Sequence, residues 1–95
     1  MDLRFEWDAR KALANRIKHG VSFEEAVTIF SDPLAHIFDD PDYSITEIRE
    51  VIVGLSRKQR LLLVCFTEHG DMVHIFSARE ATKLERQDYE ETSPT

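Results

Sequence analysis

Arg79 is the residue of this sequence whose surroundings point most directly to chemistry. The run Ser77-Ala-Arg79-Glu80 has the Ser-x-x-Glu form of a capping box, which predicts a helix beginning at Ser77. In that register Arg79 lies in the first turn, where the positive end of the helix dipole disfavours a cation by about 0.3–1 kcal/mol. A phosphate there would offset this cost, because it accepts hydrogen bonds from the free N–H groups and from the guanidinium. A solvated arginine paired with a nearby carboxylate is the alternative.

His19 is a candidate for proton transfer. Histidine changes charge near neutral pH, and the neighbouring Lys18 suits the stabilisation of developing negative charge. Two cations at the C-terminal end of a helix are also stabilising without any ligand, so a structural role stays open. Arg49 shares a predicted strand face with Glu47, where the alternatives are a phosphate clamp and a cross-strand ion pair.

Two further groups of basic residues have the spacing of a binding surface. In the predicted last helix, three cations fall at i, i+4 and i+7: Arg79, Lys83 and Arg86. A predicted hairpin turn carries Arg57, Lys58 and Arg60. Both groups suit a nucleic-acid backbone, and both also fit an ordinary solvated surface.

Metal-dependent chemistry has weaker support. His69 and His74 flank Asp71 across a predicted turn, but their spacing does not match a zinc-ligand pattern. The single cysteine, Cys65, lies in an apolar run, which predicts a core residue rather than a nucleophile. Gly-rich phosphate loops and the G-x-S-x-G motif do not occur, which excludes most nucleotide-binding and hydrolase templates. We therefore expect neither a metal nor a cofactor.

Length and charge predict one domain with an uneven surface. The 95 residues are 42% hydrophobic and 32% charged, which is typical of a single globular domain over residues 1–90 with a disordered tail at 91–95. We expect a cytoplasmic protein, because no apolar run has the length of a signal or a membrane span. The net charge of −6 argues against a nucleic-acid partner. However, residues 1–20 carry five basic and three acidic side chains, whereas residues 21–50 carry one and eight, so a basic surface can still form.

Hydrophobic periodicity predicts the order β-α-α-β-β-β-β-α. A half-buried strand at Leu3 to Trp7 is followed by a helix that Asp8 caps and Gly20 ends. A second helix starts at the capping box of Ser22 and ends at Asp32-Pro33. Four strands follow as a meander, and a helix then runs from Ser77 to about Tyr89; the strands are Leu34–Phe38, Ile45–Leu55, Leu61–Phe66 and Met72–Phe76. The expected fold class is α+β, with an antiparallel sheet flanked by helices.

An ordered set of residues along nearly the whole chain resembles a known family. The N-terminal half contributes Phe5-Glu-Trp-Asp8, Lys11, Asn15, Lys18-His19-Gly20-Val21, Phe23-Glu-Glu-Ala26, Phe30 and Asp32-Pro33. The C-terminal half contributes Glu47-x-Arg49, Gly54, Phe66-Thr67, Ser77-Ala-Arg79-x-Ala-Thr82, Glu85-Arg86 and Tyr89. Together these motifs are similar to those of BrnT-like toxins.

This resemblance implies a RelE-like fold and the toxin of a type II toxin–antitoxin system. It implies a metal-independent endoribonuclease that inhibits translation, and a cognate BrnA-type antitoxin that neutralises the toxin and binds operator DNA. An assembly of two toxins with two antitoxins is expected on the same ground. RelE-like ribonucleases are commonly basic, so the alternative for this acidic chain is a catalytically inactive module that docks an antitoxin and acts as a corepressor.

RNA cleavage through the 2′-hydroxyl needs proton transfer and stabilisation of charge on phosphorus. For such an enzyme we expect Arg79 and Arg49 to bind the scissile phosphate, His19 to transfer protons and Lys18 to support it electrostatically. The residues expected to contact the rest of the RNA are Lys11, Arg57, Lys58, Lys83, Arg86 and Tyr89.

Overall fold

The computed structural model describes residues 3–39 and 49–92, which form one sheet with helices on both sides. Strand β1 (Arg4–Trp7) leads into helices α1 (Ala9–His19) and α2 (Phe23–Thr28), and a 3₁₀ turn, Ile29–Ser31, continues α2. The remaining elements are β2 (His36–Asp39), β3 (Glu50–Leu55), β4 (Leu61–His69), β5 (Met72–Glu80) and α3 (Lys83–Thr92). The α+β class and the predicted order of elements are confirmed.

Local signals place the first two helices. The carboxylate of Asp8 accepts from the backbone N–H of Arg10 at 2.8 Å, and Gly20 ends α1 in the left-handed conformation with φ 68°. The hydroxyl of Ser22 accepts from the N–H of Glu25 at 3.0 Å and begins α2. These three predictions from the sequence are confirmed.

The sheet is mixed, which corrects the expectation of an antiparallel one. The strand order is β1-β5-β4-β3-β2, and β1 pairs with β5 in parallel while the other neighbours are antiparallel. Helices α1 and α2 and strands β2, β3 and β4 all lie between β1 and β5 in the chain, so these parallel neighbours are joined by a long connection, whereas a tight hairpin joins only antiparallel strands. The alternation within β1 reports which face is buried but not which strand is the partner.

The predicted helix start at Ser77 is wrong. Residues 77–80 continue β5 and pair with β4, with Ser77 opposite Cys65 and Arg79 opposite Leu63. Helix α3 instead follows Thr82, whose N–H donates to the Glu85 carboxylate at 2.8 Å while its hydroxyl accepts from the Glu85 N–H at 3.2 Å. This reciprocal pair is the true capping box, displaced by five residues from the predicted one.

Other boundaries differ by a few residues. Strand β4 continues to His69, past the predicted end at Phe66. The first residues of the predicted strand Ile45–Leu55, numbers 45–48, and most of the predicted turn before it lie outside the described residues. Helix α3 extends to Thr92, so residues 91 and 92 of the predicted tail are helical, and residues 93–95 lie outside the described part.

Strand alternation divides the core between the two faces of the sheet. On one face α1 and α2 cover a cluster that includes Phe23, Ile29 and Phe66. On the other, which we call the α3 face, a smaller cluster packs against Ala81 and Tyr89; it consists of Val51, Val53, Leu61 and Leu63. Directly opposed residues of neighbouring strands share a face, so the pairing of Arg79 with Leu63 puts Arg79 on the α3 face.

Candidate nucleic-acid site

Arg79 is held on the α3 face by a carboxylate. Its two terminal nitrogens donate to the two oxygens of Glu85 at 2.8 and 2.9 Å, and one of them also donates to the carbonyl of Glu80 at 3.1 Å. The hydrogen bonds from Arg79 are the main cause that lowers the pKa of Glu85 to about 2, and the same contact raises the pKa of Arg79. Of the two alternatives open in the sequence, the structure shows the paired arginine.

The predicted basic stripe of Arg79, Lys83 and Arg86 does not form, because Arg79 belongs to a strand. Lys83 and Arg86 are both exposed and lie one turn apart on α3. The two helix cations therefore belong to a different element from Arg79 and flank its partner Glu85 in the sequence of α3.

Arg49 and Lys11 meet at the ring of Phe76. The guanidinium carbon of Arg49 lies 4.0 Å from the centroid of this half-buried ring, and the Nζ atom of Lys11 lies 5.2 Å from it. Both distances are in the range of cation–π attraction. Helix α1, the residue before β3 and strand β5 thus converge on one aromatic side chain, and we call Lys11, Arg49 and Phe76 the aromatic–cation cluster.

A β-bulge places Phe76 in this position. The pairing of β4 with β5 shifts between Cys65 and Phe66, so that Cys65 opposes Ser77, Phe66 opposes Ile75, and Phe76 is the extra residue. Bulges redirect side chains and are frequent beside functional sites.

His74 borders the aromatic–cation cluster and is paired with a carboxylate. In the parallel register His74 lies beside Glu6, and its Nδ1 is 2.9 Å from the Glu6 Oε2. Its ring centroid is 4.8 Å from that of Phe76. From the sequence, His74 is only a weak candidate for a metal ligand, because nothing in the residue pattern shows that residues 6 and 74 are neighbours. Within the described ranges, no group of three His, Cys, Asp or Glu side chains could hold a metal ion.

Lys18 and His19 lie far from Arg49. They end α1, and the carbonyl of the next residue, Gly20, accepts from Arg60 at 3.1 Å, so this helix end sits at the β3–β4 hairpin. Arg49 precedes the opposite end of β3, roughly 20 Å away by strand length. In the part of the chain that the structure describes, neither Lys18 nor His19 forms a side-chain hydrogen bond or ion pair.

The β3–β4 hairpin, which carries Arg57 and Lys58, is anchored to helix α2. Both side chains are exposed, whereas Arg60 and Ser56 bind the buried carboxylate of Glu25, Ser56 by a 2.7 Å hydrogen bond. The hydrogen bond from Arg60 is the largest cause that lowers the pKa of Glu25, against the opposing effect of burial. The exposed cations Arg57 and Lys58 therefore lie in a hairpin that these contacts with Glu25 hold in place, at the same end of the sheet as His19.

Tyr89 anchors α3 to the rest of the domain. Its hydroxyl donates to Asp32 Oδ2 at 2.7 Å, and the same oxygen accepts from the N–H of Leu55 at 2.8 Å. Burial, with this hydrogen bond, raises the pKa of Tyr89 to about 12. Burial alone would raise the pKa of Asp32, but the bonds it accepts lower it. The Tyr89 ring also lines a groove of about 290 Å³ between β2 and α3, with His36 at 5.9 Å between ring centroids.

None of the helices in the described ranges combines the length and apolar character needed to cross a bilayer.

This architecture is shared with a known toxin. The structure is similar to that of the Brucella abortus ribonuclease toxin BrnT, with a TM-score of 0.64 and 23% sequence identity. The similarity covers 85% of this chain and 99% of that chain, and it defines the class of fold. No curated sequence matches the chain significantly.

The family itself follows from the sequence. The model of the family described as "Ribonuclease toxin, BrnT, of type II toxin-antitoxin system" matches residues 7–85. The chain therefore belongs to the BrnT family of ribonuclease toxins, which confirms the resemblance seen in its motifs.

Proposed function

We propose that this protein is a metal-independent endoribonuclease whose cleavage of RNA inhibits translation. Membership of a ribonuclease toxin family supports the reaction class. The single observation that carries the proposal is the aromatic–cation cluster, in which Arg49 and Lys11 flank Phe76. Single-stranded RNA is bound by this combination, because bases stack on aromatic rings while cations follow the backbone.

Arg79 and Arg49 are the proposed ligands of the scissile phosphate. Phosphate and carboxylate both accept the two parallel hydrogen bonds of a guanidinium, so an RNA phosphate can replace Glu85 on Arg79. The exposed Lys83 and Arg86 flank Glu85 in the sequence of α3 and are proposed to contact flanking phosphates. The geometry gives no support to Lys18 and His19 as partners of Arg49, so their catalytic role stays a prediction.

The proposed partner is a BrnA-type antitoxin. The family is defined as one half of a type II system, which supports an antitoxin that neutralises the toxin and contacts operator DNA in its place. The net charge of −6 favours a basic surface on that partner. We propose an assembly of two toxins with two antitoxins, and we place the toxin in the cytoplasm because translation occurs there.

One observation favours a second function, a docking module without catalysis. The chain is acidic, and Glu85 neutralises Arg79 on the face that would bind RNA. Expression without antitoxin separates the two functions: an active toxin arrests growth and leaves fragmented RNA, and co-expression of the antitoxin restores growth. A docking module leaves growth and RNA unchanged.

Cleavage of a labelled single-stranded RNA by the purified protein in excess chelator tests the reaction directly. We expect wild-type cleavage to continue in chelator and Arg49→Ala and Arg79→Ala to lose most of it. Arg10→Ala is the matched control, since Arg10 is an exposed α1 cation outside the aromatic–cation cluster. His19→Ala tests the predicted proton-transfer role. Equal cleavage by wild type, Arg49→Ala and Arg79→Ala would refute the assignment of these arginines, and loss of activity in chelator would refute metal independence.

A further inference from the structure

His74 is the histidine that the structure orients for chemistry. A carboxylate only accepts hydrogen bonds, so in the neutral ring Nδ1 carries the hydrogen and donates it to Glu6 over 2.9 Å. The lone pair is thereby assigned to Nε2, the nitrogen on the other side of the ring. In the described part of the chain no further hydrogen bond or ion pair engages the His74 side chain, which is 28% exposed.

The surroundings of His74 are those of a phosphate-binding site. Its ring contacts Phe76, and the same Phe76 ring is flanked by the guanidinium of Arg49 and the ammonium of Lys11. A histidine and two cations therefore all lie against one stacking surface. Glu6 of β1 is paired with His74, and both cations lie against the ring of Phe76 that His74 contacts.

We propose that His74 is the proton-transfer residue of this protein, that Arg49 and Lys11 bind the reacting phosphate, and that Glu6 is a positioning residue for the imidazole. This inference rests on the proposed ribonuclease function. It moves the proton-transfer role from His19, at the hairpin end of α1, to the aromatic–cation cluster, and it replaces Arg79 by Lys11 as the second ligand of the reacting phosphate.

The reaction needs only groups present at this site, the RNA and solvent water. Nε2 of His74 takes the proton of a 2′-hydroxyl while the 2′-oxygen forms a bond to the adjacent phosphorus. The bond from phosphorus to the 5′-oxygen breaks, and the leaving oxygen takes a proton from the imidazolium or from water. The products are a 2′,3′-cyclic phosphate and a free 5′-hydroxyl, and no electron acceptor or metal is consumed. The two cations stabilise the charge that develops on the phosphorane oxygens.

Cleavage of a single-stranded RNA by the full-length protein is the first test. General acid–base catalysis contributes about 100-fold or more, so His74→Gln is expected to lose at least about that factor in kcat with little change in KM. His69→Ala is the matched control, because His69 is an exposed histidine at the end of β4 without a side-chain partner among the described residues, and it is expected to cleave like wild type. Glu6→Gln is expected to lower kcat less than His74→Gln and to displace the pH dependence of kcat, which a purely structural role would leave in place.

A measurement of RNA binding tests the role of this site without depending on RNA cleavage. Single-stranded 2′-O-methyl RNA, which cannot be cleaved by this route, is titrated while the imidazole signals are followed by NMR. We expect the signals of His74 to shift, those of His69 to stay, and Arg49→Ala to weaken the binding.

The outcomes distinguish the two proposals. If wild type cleaves RNA and His74→Gln cleaves at the same rate, the role of His74 is wrong and the ribonuclease function stands. If His19→Ala alone abolishes cleavage, the sequence-based prediction stands in its place. If wild type does not cleave RNA, the proposed function fails; shifts at His74 then still support the binding surface, and unshifted His74 signals overturn it.

Discussion

Replacing Glu85 by Gln should destabilise the domain in a pH-dependent manner. Glutamine still accepts a hydrogen bond from the Thr82 N–H, so the helix cap is kept and only the charge facing Arg79 is removed. The fall in the pKa of Glu85 from 4.5 to about 2 corresponds to an upper bound of about 3.5 kcal/mol at roughly 1.4 kcal/mol per unit. The Glu85 and Arg79 side chains are 26% and 37% exposed, and solvent screening reduces the expected loss to about 1–2 kcal/mol.

The sign of the pH dependence follows from the lowered pKa. A carboxyl group with a lower pKa in the folded state contributes its full stability above the unfolded value of 4.5, and this contribution disappears as the pH falls towards about 2. Urea unfolding followed by circular dichroism should therefore show wild type more stable than Glu85→Gln at about pH 7, with the difference closing near pH 2. Glu90→Gln, an exposed change of the same charge in the same helix, is the control and should lose little. An equal gap between wild type and Glu85→Gln at both pH values would refute this account of the ion pair.

Three further substitutions test the side-chain contacts that hold the elements around the site together. Asn15→Ala removes three hydrogen bonds to backbone groups and should cost about 2–4 kcal/mol in urea unfolding, against little for the exposed neighbour Arg16→Ala. Arg60→Ala leaves Glu25 buried without its cation and should cost about 3–5 kcal/mol, whereas replacing both residues by alanine should cost less than the sum of the single changes. Tyr89→Phe should cost about 1 kcal/mol and speed amide hydrogen exchange in α3 but not in β4; unchanged exchange in α3 would count against its role as an anchor.

Short-range signals predicted the helices because their causes are short-range. Each of these helix signals acts within four residues of its own position. Asp8 and Ser22 accept hydrogen bonds from backbone N–H groups, and the N–H of Gly20 donates to a carbonyl of the last turn; each was found where the sequence predicted it. The helix predicted to start at Ser77 was wrong because the competing cause is long-range. Its Ser-x-x-Glu pattern is genuine, but residues 77–80 pair with β4, and Asn15 binds the backbone N–H and carbonyl of Ala78. These long-range hydrogen bonds outweigh a local cap.

The candidate site was harder to predict, because its members come together only through long-range pairing. Arg49 and Lys11 were both expected at an RNA surface. The ring that both of them contact, Phe76, takes its position from a β-bulge, and the hydrophobic periodicity of the sequence does not predict this bulge. His74 depends on the parallel neighbour Glu6, sixty-eight positions away in the chain. His19 was preferred from sequence because a charged pair at a helix end is visible locally, whereas its distance from Arg49 is a property of the tertiary fold.

The side chain of Asn15 also closes a short stretch of the β5 edge to another strand. Its amide binds both the N–H and the carbonyl of Ala78, on the side of β5 where β1 has already ended after Trp7. An edge capped in this way offers no free ladder to an incoming peptide, so this stretch of β5 is protected from the edge-to-edge association that exposed strands invite. A single amide thus performs at Ala78 the task that other sheets give to a lysine, a proline or an additional strand.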